Sequence, residues 1–445
     1  MLNEENPKKA RTFFDKLNLI KNISKYGIII LILSILICRL KFKLSLILSI
    51  IISLISILFI IIIIAILVLK PFEIFKKAGY EEEWNDLYGE KIINIPYYKN
   101  DMIINTFKKD SINFNEEIGN INNGKDYHTN ERNYYDLYIP YSSLKRKNEY
   151  NGIILTIHGG GWITGSKELA SFFCCRYAKY GYITATMNHT LLVKKYKEYN
   201  IFRIVDEITS CIENIKEKLK NEGFDENKLE LALAGFSSGA HLSLLYGYSM
   251  KNISPLPIKF VINIVGPVSL EPKYWIFLGK NQKPLENIES KDIENGLKEK
   301  KIKFWEDENY FLNYMNLFIG EKYSKKELKE MIENKKNKID NEKFKEIFKV
   351  SKYGFPIIYV NSSTIPTLCQ YGGRDPLIGI GMYSYLKDLA DKYGNKLELV
   401  YMKDGGHALI NYETEEGVKS MREMHYQILN FAKTYFTSNS HLYYH

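Results

Sequence analysis

From residue 134 onward, apolar runs of strand length alternate with stretches of helical period. Runs at 134–139, 152–157, 182–187, 229–234, 259–265, 367–371 and 397–402 predict strands. Residues 201–219 predict a helix, because Ile201, Ile204, Val205, Ile208, Ile212, Ile215 and Leu219 fall on one face at a 3.6-residue period. A small-residue turn and an apolar helix follow the run at 229–234, and a last helix is predicted over 417–436. Apolar strands alternating with helices imply an α/β fold, a mostly parallel sheet with helices on both faces. One block breaks the alternation. Residues 271–350 are Lys/Glu-rich and helical, and carry Trp275, Phe277, Trp305, Tyr310, Phe311, Tyr314 and Phe318. The block sits between two sheet strands, which predicts an insertion at the sheet edge where ligands bind. It reads either as a surface insertion with its own apolar face or as a cap over the site.

The N-terminal pattern is of another kind. Residues 44–69 form 26 consecutive positions without a charge, a Gly or a Pro. About 20 apolar residues suffice to cross a bilayer, and a helix apolar all round is hard to cover in water. A transmembrane helix is therefore expected there. A shorter apolar run, 26–40, precedes it, with Arg39, Lys41 and Lys43 between the two. A two-helix hairpin is the preferred reading; one span with an interfacial helix before it is the alternative. Six basic residues precede the first run and Lys70, Lys76 and Lys77 follow the second, which leans to a cytoplasmic main domain for the hairpin. A single span would reverse that side. The expected layout is a basic tail (1–25), a membrane region (26–69), an exit segment that begins the main domain (70–130), and the α/β domain itself (131–440).

Charge sharpens this layout. The net charge is +9, but residues 1–77 hold 12 Lys and Arg against 4 acidic residues, and the remainder is balanced at 49 against 48. The excess belongs to membrane topology, and nothing in the main domain favours nucleic acid. With 45% hydrophobic and 25% charged residues, a disordered chain is excluded. The five cysteines, Cys38, Cys174, Cys175, Cys211 and Cys369, are odd in number and lack CxxC spacing. They suggest neither a disulfide framework nor a zinc site, but small buried side chains. No metal or cofactor is implied.

Four short segments carry candidate chemistry, each after a predicted strand. Gly235-Phe236-Ser237-Ser238-Gly239 fits GxSxG between a strand and a helix. Such a turn exposes a serine Oγ, and the flanking glycines relieve crowding. His158-Gly159-Gly160-Gly161-Trp162 offers backbone amides that can approach an oxyanion unobstructed. His158 itself reads as a loop-orienting side chain. Asp375, in Gly372-Gly373-Arg374-Asp375-Pro376, can orient a histidine. His407, in Asp404-Gly405-Gly406-His407, is placed to act as the base, with Asp404 competing for the acid role. His241 reads as a packed helix residue. Oxyanion loop, Ser, Asp and His occur in the chain order of α/β-hydrolases.

On these segments the sequence resembles the esterase/lipase branch of the α/β-hydrolase fold. It is similar to the bacterial carboxylesterases related to hormone-sensitive lipase and feruloyl esterases. The resemblance rests on IILTIHGGGWITGSKE, DENKLELALAGFSSGAHLSLL, IPTLCQYGGRDPLI and LELVYMKDGGHAL, and spans about 130–435 apart from the insertion. It implies Ser237 as nucleophile, Asp375 as acid and His407 as base. Gly160, Gly161 and the Ser238 amide would form the oxyanion hole, supported by His158, Gly159, Trp162, Gly235 and Gly239. Two departures stand out. Ala240 occupies a position where the family often has Gly, and His189-Thr190 stand where it usually has a Tyr-Arg pair. The function expected is a membrane-anchored serine hydrolase of small or lipid-like acyl esters. Amide or peptide hydrolysis on the same fold, and a catalytically silent membrane module, stay open.

Overall fold

The computed structural model describes residues 84–97, 130–196, 199–270, 308–336, 342–402, 405–407, 409 and 415–437. The expected membrane segments, 26–40 and 44–69, lie outside the described residues, as do Cys38, Asp404 and Trp275, Phe277 and Trp305 of the insertion. Among the described residues no helix is long and apolar enough to cross a membrane. The chain divides into two compact units, Met1–Glu81 with Asn411–Arg422, and Glu82–Ile410 with Glu423–His445. Of the first, the described residues are 415–422, which are helical. The sheet and the candidate site belong to the second.

Eight strands form one sheet: β1 (Gly89–Pro96), β2 (Tyr134–Pro140), β3 (Asn151–Ile157), β4 (Ile183–Met187), β5 (Leu229–Phe236), β6 (Ile258–Ile264), β7 (Thr367–Gly372) and β8 (Leu397–Met402). Their order is β1-β2-β4-β3-β5-β6-β7-β8. β2 runs antiparallel to β1 and β4, and every later pairing is parallel. This is the α/β-hydrolase arrangement that the sequence resemblance implied. All seven residues of β3 are buried. Strands covered on both faces read as continuous apolar runs, which is why the sequence exposes them.

The helices longer than one turn are α1 (Ser171–Lys179), α2 (Ile201–Asn221), α3 (Ser238–Ser249), α4 (Glu308–Phe318), α5 (Lys325–Lys336), α6 (Glu342–Ser351), α7 (Gly381–Tyr393) and α8 (Glu415–Tyr435) among the described residues. Helices cover both sheet faces. On one, Ile153, Leu155 and Ile157 of β3 and Leu231 and Leu233 of β5 join one core with Ile204, Ile208 and Ile212 of α2 and Leu242 of α3. On the other, Phe236 meets Phe173 of α1 with ring centroids 5.4 Å apart, and Phe260 meets Phe431 of α8 at 5.5 Å. Helices α4, α5 and α6 belong to the insertion between β6 and β7. Their apolar residues Leu312, Met315, Phe318, Met331 and Ile347 are buried in the same core as the sheet. Cys174, Cys175, Cys211 and Cys369 are all buried.

The parallel strands all point the same way, so the loops after β3, β5, β7 and β8 leave from one edge. Those four loops carry His158–Trp162, Ser237, Asp375 and His407.

Candidate active site

Ser237 stands between the last residue of β5 and the first of α3, with φ 54° and ψ −122°. A side-chain-bearing residue there is strained by about 1–3 kcal/mol and persists only where its surroundings fix it. The Ser237 amide donates to Ile264 O at 2.9 Å, and its carbonyl accepts from the His241 amide at 3.1 Å. Gly239 is required by close approach: a Cβ there would lie 2.1 Å from Ile157 O and 2.5 Å from His158 O. The first turn of α3 thus presses on the exit of β3. Ser237 is half-buried, and no hydrogen bond joins its Oγ to His407 in this structure. Catalytic hydrogen bonds are often long before substrate binds.

The loop after β3 lies against that turn. A Cβ on Gly159 would meet Ser237 Cβ at 3.3 Å. Gly160 and Gly161 adopt φ 128° and 60°, and nothing lies within 4 Å of the side on which a Gly161 Cβ would project. Among the described residues the amides of Gly160, Gly161 and Ser238 make no hydrogen bond. The Ser238 amide belongs to a helix N-terminus, where the first donors have no intrahelical acceptor. These three N–H groups are therefore available to a developing negative charge.

Asp375 and His407 meet directly. His407 Nδ1 lies 2.9 Å from Asp375 Oδ2 and 3.1 Å from Oδ1. Next to a carboxylate, Nδ1 carries the proton and donates it, which leaves Nε2 as the basic nitrogen. Asp375 is buried, and its Oδ1 also accepts from the amides of Leu377 at 2.8 Å and Ile378 at 3.0 Å. The two loops are tied by the Arg374 amide, which donates to Gly405 O at 2.9 Å.

The BD-FAE family model matches residues 135–389, more than half of the chain. The chain belongs to the BD-FAE family. It is by that membership an α/β-hydrolase-like carboxylic ester hydrolase. The matched span contains Ser237 and Asp375 and ends before His407. No curated protein matches. Among solved structures, the chain is similar to a truncated carbohydrate esterase from gut microbiota, at 16% identity over 78% of this chain and 99% of that one, with a TM-score of 0.46. It is similar to an inhibited esterase B from Lactobacillus rhamnosis, at 15% identity over 82% and 94%, with a TM-score of 0.47. It is also similar to a thermophilic esterase from Thermogutta terrifontis, at 15% identity over 71% and 93%, with a TM-score of 0.44.

This BD-FAE chain supports its glycine loop with three histidines that take no direct part in the site. His158 Nε2 receives a hydrogen bond from Arg132 Nη2 at 3.1 Å, so the proton sits on Nδ1, which donates to Gly159 O at 2.8 Å. The His158 ring stacks on His189, with centroids 4.4 Å apart and planes 12° from parallel. Burial, then the neighbouring His189 and Arg132, hold His158 well below the usual histidine range. Burial likewise pushes His189 down to about 4 and His241 down to about 3. Trp162 Nε1 donates to His241 Nδ1 at 3.3 Å, and His241 Nε2 donates to Gly354 O at 2.8 Å. Phe318 and Tyr314 of α4 close on the Trp162 ring at 5.1 and 5.7 Å. The glycine loop is thereby packed between α3 and the insertion.

Sequence reasoning missed Arg132 and the Trp162–His241 bond. Both depend on partners 26 or more positions away; Arg132 sits in no readable motif, and although Trp162 and His241 lie beside the glycine loop and the serine turn, nothing local pairs one with the other. The His189-Thr190 departure from the family pair is visible in the sequence, but its consequence is not. Buried Glu207 accepts from the Thr190 amide at 2.7 Å and also from the Thr190 hydroxyl.

Proposed function

We propose that Ser237 attacks the acyl carbon of a carboxylic ester, with His407 as general base and Asp375 as its orienting acid. The observation that carries this reading is the Asp375–His407 hydrogen bond at 2.9 Å, on the same sheet edge as the strained turn of Ser237. His407 Nε2 takes the Ser237 proton as the Oγ–acyl bond forms. The tetrahedral oxyanion lies against the amides of Gly160, Gly161 and Ser238. His407 then returns the proton to the leaving alkoxide, and an acyl-enzyme remains. Water, deprotonated by the same nitrogen, releases the carboxylic acid. No step calls for a metal or a cofactor.

The uninterrupted apolar run 44–69 supports a membrane anchor for this enzyme. An anchored hydrolase meets acyl substrates that concentrate in lipid, so the substrate class is an acyl ester of small or lipid-like kind. The position of α4 against the oxyanion-loop Trp162 supports the reading of 271–350 as a cap.

The test is a series of esters of increasing acyl length, with an anilide of matched acyl group, assayed on full-length protein in detergent. Esters should turn over and the anilide should lag by orders of magnitude. Ser237→Ala should lower ester turnover by about 10⁴–10⁶. Faster cleavage of the anilide would make the protein an amide hydrolase, and turnover that survives Ser237→Ala would remove Ser237 from the reaction.

A further inference from the structure

We propose that Arg132 is a positioning residue for the oxyanion hole, acting through His158 on the Gly159–Gly160 peptide. The proposal rests on the reading of Gly160 and Gly161 as oxyanion donors.

Arg132 lies in the turn before β2, far from the glycine loop in sequence, and that turn is locked from within. The Arg132 amide donates to Asn130 Oδ1 at 2.8 Å, the Asn130 amide to Asn133 Oδ1 at 2.8 Å, and the Asn133 amide to Asn130 O at 3.1 Å. Asn133 Nδ2 in turn donates to the Tyr97 hydroxyl at 3.0 Å and to buried Glu207 at 3.2 Å. A backbone so fixed delivers the guanidinium to one place.

There it joins the exits of two strands. Nε donates to His189 O at 2.8 Å, beyond β4. Nη2 reaches Asn188 Oδ1 at 3.3 Å, Gly165 O at 2.8 Å and His158 Nε2 at 3.1 Å. A planar fork can hold several acceptors at fixed angles, which an ammonium on a flexible stem cannot.

The bond to His158 has a consequence two atoms further on. With Nε2 occupied as an acceptor, Nδ1 bears the proton and holds Gly159 O at 2.8 Å. Gly159 C=O and Gly160 N–H belong to the same planar trans peptide and point in opposite directions. Pinning that carbonyl toward His158 therefore aims the Gly160 amide the other way, out of the loop. The ring has little room to reorient. It is stacked on His189, and a Cβ on Gly165 would come within 2.7 Å of its Nδ1 and 2.2 Å of Gly159 O. Without Arg132, the imidazole can carry its proton on Nε2, and Nδ1 then repels the carbonyl it had held.

Steady-state ester kinetics on full-length Arg132→Ala and Arg132→Lys test this, with and without added guanidinium at millimolar concentration. One oxyanion donor is worth about 10²–10³ in rate. The Ala variant should therefore lose roughly that much in kcat, with KM within about threefold of wild type. The Lys variant should remain impaired by at least about tenfold, because charge without the fork does not fix the ring. Guanidinium should restore a measurable part of the Ala variant's kcat, and methylammonium at the same concentration should not. A wild-type kcat in Arg132→Ala overturns the proposal, as does a full-activity Arg132→Lys. If the Ala variant does not fold, the Lys variant alone decides. Wild-type turnover independent of Ser237 would sink the reading of the site together with the role of Arg132; Ser237-dependent turnover with an unimpaired Arg132 variant would sink the role of Arg132 only.

Discussion

Replacing Asp375 with Asn changes one atom type and reverses the direction of one hydrogen bond. Asp375 Oδ1 accepts from the amides of Leu377 and Ile378 at 2.8 and 3.0 Å, while Oδ2 faces His407 Nδ1 at 2.9 Å. An asparagine can keep its carbonyl oxygen on the two backbone amides, and its NH₂ then faces His407. Nδ1 must become the acceptor, so the proton moves to Nε2. The nitrogen meant to accept the Ser237 proton is then already protonated. The same exchange in a Ser-His-Asp enzyme costs about 10⁴ in kcat, or about 5.5 kcal/mol of transition-state stabilisation. Folding should be nearly unaffected, because both amide contacts survive. The assay pairs ester kcat/KM with urea unfolding of the same sample. Loss of about 10⁴ in rate with a wild-type unfolding midpoint is the expected result. A mild Asp375→Asn together with an inactive Asp404→Asn would transfer the acid role to Asp404 and refute the assignment.

Three further outcomes are expected. Gly239→Ala should destabilise by about 3 kcal/mol in urea unfolding, because its Cβ would lie 2.1 Å from Ile157 O, and backbone atoms cannot swing aside; an unchanged midpoint would contradict the close approach. Acid should weaken the fold through its buried histidines. His189 and His241 sit near 4 and 3 when folded against 6.5 otherwise, so their contribution is complete above about pH 6.5 and is lost as pH falls toward those folded values. Between about pH 7.5 and pH 5 each should cost about 2 kcal/mol, and urea unfolding of His189→Gln and His241→Gln should show a shallower loss; wild-type stability that rises toward pH 5 would reverse the sign. Full-length protein should pellet with membranes and resist alkaline extraction, whereas a chain starting near residue 78 should stay in the supernatant; a soluble full-length chain would remove the anchor.

The sheet was legible where both faces are buried. The runs at 152–157 and 229–234 fall within β3 and β5 because parallel strands covered on two sides leave no polar alternation. β1 was not, because it is an edge strand with mostly exposed positions, and its partner lies beyond residue 133. Helix α1 reads as a short apolar run and announces no helical period, whereas Met382, Leu386, Leu389 and Tyr393 of α7 do fall on one face. Ser237 and the glycine loop were legible because a strand-to-helix turn and an unobstructed amide row each demand particular residues within five positions. The Asp375–His407 contact was inferable only as a pairing of loops, since Asp404 stands nearer in sequence. Arg132 had no local signal: its four acceptors are assembled by folding alone.

The central claim is that Ser237 is the nucleophile, and covalent trapping tests it most directly. Full-length protein in detergent would be treated with a fluorophosphonate, digested and mapped by mass spectrometry. A single adduct on Ser237 is predicted, approaching one per chain, absent in Ser237→Ala and formed far more slowly in His407→Ala. An adduct on any other residue, or labelling that persists in Ser237→Ala, would contradict the account.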